Sequence, residues 1–133
     1  MVAFHRRRPV GCFGERADMT DRLKEIARLR KKAHTTLVKK GSRVYGAFLE
    51  MEQATYRDGE LKRKEKELIA VGISVVINCE SCMQWHIEQA ANEGATKGEI
   101  IEAIEVGIEM GGGPATAHAR FALEVLESLE LGG

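Results

Sequence analysis

Glycine and polar breaks divide this chain into stretches the length of ordinary helices. Gly41-Ser42, Asp58-Gly59, Gly94 and the run "GGGP" at 111–114 separate segments whose apolar residues recur at helical spacing. Only two prolines and few aromatic residues are present, while alanine, leucine, isoleucine, glutamate and lysine are abundant. These are helix formers, so the pattern predicts an all-α fold of about six helices in one domain.

The first 18 residues stand apart. They hold "HRRR", glycine and proline without helical period, and read as a disordered tail before a single domain over 19–133, with Met19 as a second candidate start. Cys12 lies in this tail and is assigned no chemistry. From Met19 the predicted helices are "MTDRLKEIARLRKKAHTTLVKK", with Thr20 or Asp21 as N-cap, and "RVYGAFLEMEQATYR", with Val44, Phe48 and Met51 in step. Next come "KRKEKELIAVGISVVIN" and "CESCMQWHIEQAANEG". The third is β-branched at its end, yet too long for an ordinary strand and opened by strong helix formers. Thr96 and Glu99 have capping-box spacing ahead of a fifth helix, and Pro114 suits the first turn of a sixth.

Twenty acidic and twenty basic side chains give no net charge. That balance argues against a nucleic-acid or anionic-membrane partner. No apolar run is long enough to span a bilayer, and the N-terminal stretch has no apolar core of a signal peptide. Three cysteines do not make a disulfide scaffold, which predicts the cytoplasm.

The chemistry concentrates in "NCESCMQWH", Asn78 to His86. At about 100° per residue, Cys82 lies about 60° from Cys79 and His86 about 40° beyond Cys82, so all three share one helical face. Two thiols at this spacing can close a disulfide, and the imidazole can exchange a proton with one of them. A first-turn position favours the Cys79 thiolate through the helix dipole. The rival readings are a zinc site and plain packing. Zinc needs four ligands, and beyond this cluster the chain offers only His5, His34 and His118. Redox therefore ranks above zinc, and zinc above inert packing.

Glu67 shares a face with Val71, Ser74 and Asn78. In one straight helix it would stand about 18 Å from Cys79. If the chain turns near Asn78 and runs back, His86 approaches Glu67, directly or through one water, and the carboxylate orients the imidazole. "GGGP" lacks the spacing of a phosphate loop and follows no strand, so it reads as a helix break. His118 reads as a packed or surface histidine.

These residues resemble a known family. "KEKELIAVGISVVINCESCMQWHIEQAANEGATKGEIIEAIEVGIEMGGGPA" is similar to the carboxymuconolactone decarboxylase-like family and, within it, to the AhpD-like alkylhydroperoxidase core. The pattern E-x11-C-x2-C-x3-H falls on Glu67, Cys79, Cys82 and His86, and "EGATKGEIIEA" extends the match. The resemblance implies an all-helical fold that assembles as homo-trimers or hexamers. It implies reduction of a hydroperoxide substrate at the expense of a dithiol or protein reductant, with no cofactor and no metal. Carried over, Cys82 attacks peroxide, Cys79 resolves, and Glu67 and His86 relay protons. This order differs from the dipole argument, which favours Cys79, and the resemblance is followed because a base beside Cys82 can outweigh a dipole. Ser81 stands where the AhpD core has a histidine. The family also holds lactone decarboxylases, which usually lack the cysteine pair. Two alternatives therefore stand beside the peroxidase: a 4-carboxymuconolactone decarboxylase-type lyase, and a non-enzymatic zinc-binding or assembly module.

Overall fold

The computed structural model describes residues 13–131, with side chains from Asp18 onward. It consists of six α-helices: α1 Phe13–Lys39, α2 Arg43–Thr55, α3 Arg63–Val76, α4 Glu80–Asn92, α5 Lys97–Gly111 and α6 Gly113–Ser128. The all-α expectation holds, and no strand occurs among the described residues. The first helix begins at Phe13, not at the expected cap Thr20 or Asp21. The stretch "ERADM" contains neither glycine nor proline and is rich in good helix formers, so nothing forces a start at Met19. The remainder of the expected tail, with Cys12 and "HRRR", lies outside the described residues.

The breaks act through identifiable backbone geometry. α1, α3 and α4 all end in Schellman motifs. Ser42 N–H donates to Leu37 O at 3.1 Å, Cys79 N–H to Ser74 O at 3.1 Å and Ala95 N–H to Ala90 O at 2.9 Å. The left-handed residues at these ends are Gly41 (φ 64°), Asn78 (φ 55°) and Gly94 (φ 87°). Asn78 is the one described non-glycine residue with positive φ, a conformation asparagine tolerates better than most residues. The predicted capping box is formed: Glu99 N–H donates to Thr96 Oγ1 at 3.1 Å, and Thr96 N–H to Glu99 Oε2 at 2.9 Å. Pro114 sits in the first turn of α6.

The core lies among α3, α4, α5 and α6. Val71 and Val75 meet Met83 and Ile87, Ile100 and Ile104, and Ala119, Ala122 and Val125, all essentially sealed from solvent. α1 adds Leu23 and lies along α4 and α6. α3 and α5 approach so closely that a Cβ on Gly107 would stand 2.6 Å from the Gly72 carbonyl oxygen. Only glycine fits that crossing.

α2 contributes nothing to this core. None of its residues is buried, and Val44, Phe48 and Met51 are exposed. A second apolar surface runs between α3 and α5, a groove of about 570 Å³ walled by Ile69, Ile73, Val76, Val106 and Met110. α3 and α5 are therefore apolar on a second face besides the one turned to the core.

Candidate active site

The turn at Asn78 reverses the chain, so that α4 runs back along α3. Cys79 serves both ends of this turn. Its N–H closes the Schellman motif of α3, and its side chain caps α4, with Sγ accepting the Cys82 backbone N–H at 3.2 Å. Cys79 is thus the N-cap, and Cys82 is the third residue of the helix. The two are half-buried and joined as a disulfide, with Cα atoms 5.1 Å apart. A sulfur in this position faces the unpaired N–H groups and positive end of the helix, which favour a negative charge.

His86 lies one turn beyond Cys82 on the same face. Its Nδ1–H donates to Glu67 Oε2 at 2.7 Å. The direct Glu67–His86 contact anticipated from the sequence is therefore present. With Nδ1 committed to the carboxylate, Nε2 is left as the nitrogen that can accept a proton. Glu67 is only 1 % exposed. Its other oxygen, Oε1, stands 3.7 Å from Arg63 Nε, which also lies 3.5 Å from Glu93 Oε1. Arg63 further donates to Gln89 Oε1 at 3.3 Å, bridging α3 and α4. Burying a carboxylate costs least where donors or positive charges stand near both of its oxygens.

The aromatic ring of Tyr56, the C-cap of α2, lies over His86 with ring centroids 5.5 Å apart and planes 30° apart. Burial, followed by the Glu67 and Glu52 carboxylates, pushes the Tyr56 phenol above its ordinary range, so it stays protonated through neutral pH. Tyr56, Arg57, Arg63 and Trp85 wall a polar cavity of about 420 Å³ that reaches Glu67. Lys66 Nζ donates to the Thr55 and Arg57 carbonyls at 2.8 and 2.6 Å and anchors this end of α2 to α3.

The structure thus brings Glu67, Cys79, Cys82 and His86 to one place. His118 lies elsewhere: its Nδ1–H donates to the Val75 carbonyl at 2.7 Å, so of the two readings, packed or surface, it is the packed one. Tyr56, Arg63 and Arg30, which hydrogen-bonds to Ser81 between the cysteines, were not anticipated. Tyr56 and Arg57 sit just before the break at Asp58-Gly59, a position that could have drawn attention to them. Arg30 lies 51 residues from Ser81, and nothing local marks it. Among the described residues, no group of three or more His, Cys, Asp or Glu is arranged to hold a metal ion, and no helix is long and apolar enough to cross a membrane.

With this geometry in hand, similarity to known proteins is informative. The sequence model of the "Carboxymuconolactone decarboxylase family" matches residues 42–125. The uncharacterized protein 4 of the cox locus of Paracoccus denitrificans is 41 % identical over 90 residues, covering 68 % of this chain and 81 % of that protein. An uncharacterized protein of Cupriavidus necator is 39 % identical over 83 residues, covering 62 % and 74 % respectively. Among solved structures, a carboxymuconolactone decarboxylase family protein of Legionella pneumophila superposes with a TM-score of 0.77 at 30 % identity, over 81 % of this chain and 96 % of that one. A family protein of Thermotoga maritima, for which a role in antioxidative response has been suggested, gives 0.71 at 31 %, over 78 % and 88 %. The matched region contains the cysteine pair, the histidine and the buried glutamate, and the chain belongs to the carboxymuconolactone decarboxylase family.

Proposed function

We propose that this family member is a thiol-dependent peroxidase and disulfide oxidoreductase of the AhpD-like kind. The observation that carries the reading is the Cys79–Cys82 disulfide one turn from a histidine whose Nδ1 is held on a buried carboxylate. In the reduced enzyme the Cys82 thiolate attacks the terminal oxygen of a hydroperoxide. An S–O bond forms, the O–O bond breaks, and the alkoxide leaves as an alcohol on taking a proton from the imidazolium of His86. Cys79 then attacks the sulfenic sulfur, giving the disulfide and water. An external dithiol or protein reductant supplies two electrons and two protons by exchange and restores both thiols. A reducing cytoplasm fits this recycling, and the exposed apolar surfaces of α2 and of the α3–α5 groove fit a trimer or hexamer of this chain.

The order of attack rests on the neighbouring base: Cys82 lies four residues before His86, within reach of its imidazole on one helical face. One equivalent of peroxide should consume two thiols per chain and give an intramolecular disulfide on peptide mapping. Cys79→Ser should accumulate a trappable sulfenic acid at Cys82, and Cys82→Ser should not react. If both cysteines stay reduced after peroxide, the reading fails. The family's own description favours a rival lyase acting on a carboxylated lactone. That activity would survive Cys79→Ser and Cys82→Ser together, whereas peroxidase turnover would not.

A further inference from the structure

We propose that Arg30 of α1 is an electrostatic positioning residue of the thiol site, a fixed positive charge that raises the reactivity of Cys82. The inference rests on the reading that these thiols do chemistry. Arg30 reaches across from α1 to the residue between the two cysteines. Its Nη2 donates to the Ser81 carbonyl at 2.8 Å and to Ser81 Oγ at 3.1 Å, and its Nε lies 3.3 Å from the same hydroxyl. Nη2 also reaches Gln84 Oε1 at 3.3 Å, while Gln84 Nε2 donates to the Leu23 carbonyl at 3.0 Å and ties the cluster back to α1. The guanidinium lies over the Trp85 ring, 5.3 Å from its centroid. Such a planar, many-donor group held on one carbonyl, one hydroxyl, one amide and one ring is fixed in place.

Covalent geometry then bounds a distance. The Ser81 carbonyl oxygen and the Cys82 sulfur are separated only by the peptide link and Cα–Cβ–Sγ, so Arg30 Nη2 stands within about 8 Å of that sulfur. At such a range, with Arg30 half-buried and Ser81 exposed, a unit charge changes the thiolate fraction about two- to fivefold. Burial draws the Arg30 guanidinium below its ordinary, very high range, and it stays charged near neutral pH. The Glu88 carboxylate offsets part of this charge. Glu88 faces Arg30 one turn beyond Gln84, and burial pushes its carboxyl upward more strongly than Arg30 draws it down. Glu80, at the start of α4, is paired with Arg22. On the α3 side, Glu67 is shared between His86 and Arg63. Among the described residues, no side-chain carboxylate lies within hydrogen-bonding distance of Arg30, and its donors go to neutral acceptors of the cysteine-bearing turn.

The test is the alkylation of reduced protein by iodoacetamide, read at Cys82 by peptide mapping, with helix content checked by circular dichroism. The forms compared are wild type, Arg30→Lys, Arg30→Gln and Arg30→Met. A lower thiolate fraction slows the reaction near neutrality, while the more basic thiolate it implies is the better nucleophile once fully ionised. Arg30→Gln and Arg30→Met should therefore react roughly two- to fivefold more slowly at about pH 7 and as fast as wild type, or faster, at about pH 10. Arg30→Lys should stay near wild type at both. Equal rates for all four at neutral pH would overturn the proposal, as would slowing of Lys, Gln and Met alike at both pH values. The two neutral variants differ in how they pack on Trp85, so one that fails to fold leaves the other to decide. Peroxide consumption is followed in parallel. An inert wild type with the alkylation pattern intact would refute the peroxidase reading and leave the role of Arg30 standing.

Discussion

A carboxylate as enclosed as Glu67 is retained at a desolvation cost, offset here by the imidazole N–H on one oxygen and the Arg63 guanidinium near the other. If the site is the proposed peroxidase, Glu67→Gln keeps the shape but removes the carboxylate partner of His86, so peroxide turnover should fall roughly 10²- to 10⁴-fold with the fold intact. Single-turnover kinetics on reduced protein would check this, and an unchanged rate would remove Glu67 from the relay. Much of this site was legible from spacing. The steps from Glu67 through Val71 and Ser74 define the buried face of α3, and all three residues are buried. The i, i+4 relation of Cys82 and His86 needs only a helix. What sequence could not supply were contacts between distant elements. Arg30 looks like one more cation in "RLRKK", and its role appears only when α1 is laid along α4.

At the scale of the element, the crossing of α3 and α5 is set by two glycines rather than by large side chains. Gly107→Ala puts a methyl within 2.6 Å of the Gly72 carbonyl oxygen and 3.0 Å of Val75 Cβ, both on backbone or stiff branched groups that cannot yield. It should cost about 1–3 kcal/mol, read as a lower urea midpoint. Exposed Gly98 offers a control, since its nearest neighbour, Thr96 Oγ1, would lie 3.8 Å from an added Cβ. The start of α5 carries a pH dependence. Hydrogen bonds from the Thr96 backbone and the Lys64 side chain hold the Glu99 carboxyl below its usual value of 4.5. A group depressed on folding stabilises the native state above its unfolded pKa and loses that contribution as pH falls through the folded one. Wild type should therefore lose melting temperature faster than Glu99→Gln as pH drops from roughly 5 to 3. Parallel acid limbs for the two proteins would refute this. The capping box was readable from Thr96 and Glu99 alone, because it is a local device. The start of α1 was not, because upstream residues of adequate helix propensity left no mark of where the helix begins.

For the whole molecule, the distribution of apolar surface is the main unsatisfied feature. Ile69, Ile73, Val76, Val106 and Met110 line one groove, and Val44, Phe48 and Met51 stand on a helix that buries nothing. If these faces join copies of the chain, Ile73→Glu with Met110→Glu should shift the protein to monomer on sedimentation while leaving its helix content unchanged. A wild type that already sediments as a monomer would dismiss the assembly reading. The six-helix architecture followed from the spacing of breaks and apolar residues. The isolation of α2 from the core did not, because Val44, Phe48 and Met51 have the periodicity of buried residues.

Cys79 has a second consequence, which lies in engineering rather than catalysis. Its side chain occupies an N-cap position, where serine is among the most favoured residues and a thiol is a weak acceptor. Cys79→Ser, which on the peroxidase reading removes the resolving thiol, supplies the better cap. Compared with reduced wild type, it should melt at a higher temperature while failing to recycle. On that reading the position sets redox turnover against thermal robustness, so a screen of reduced protein for stability alone would select the variant that cannot recycle.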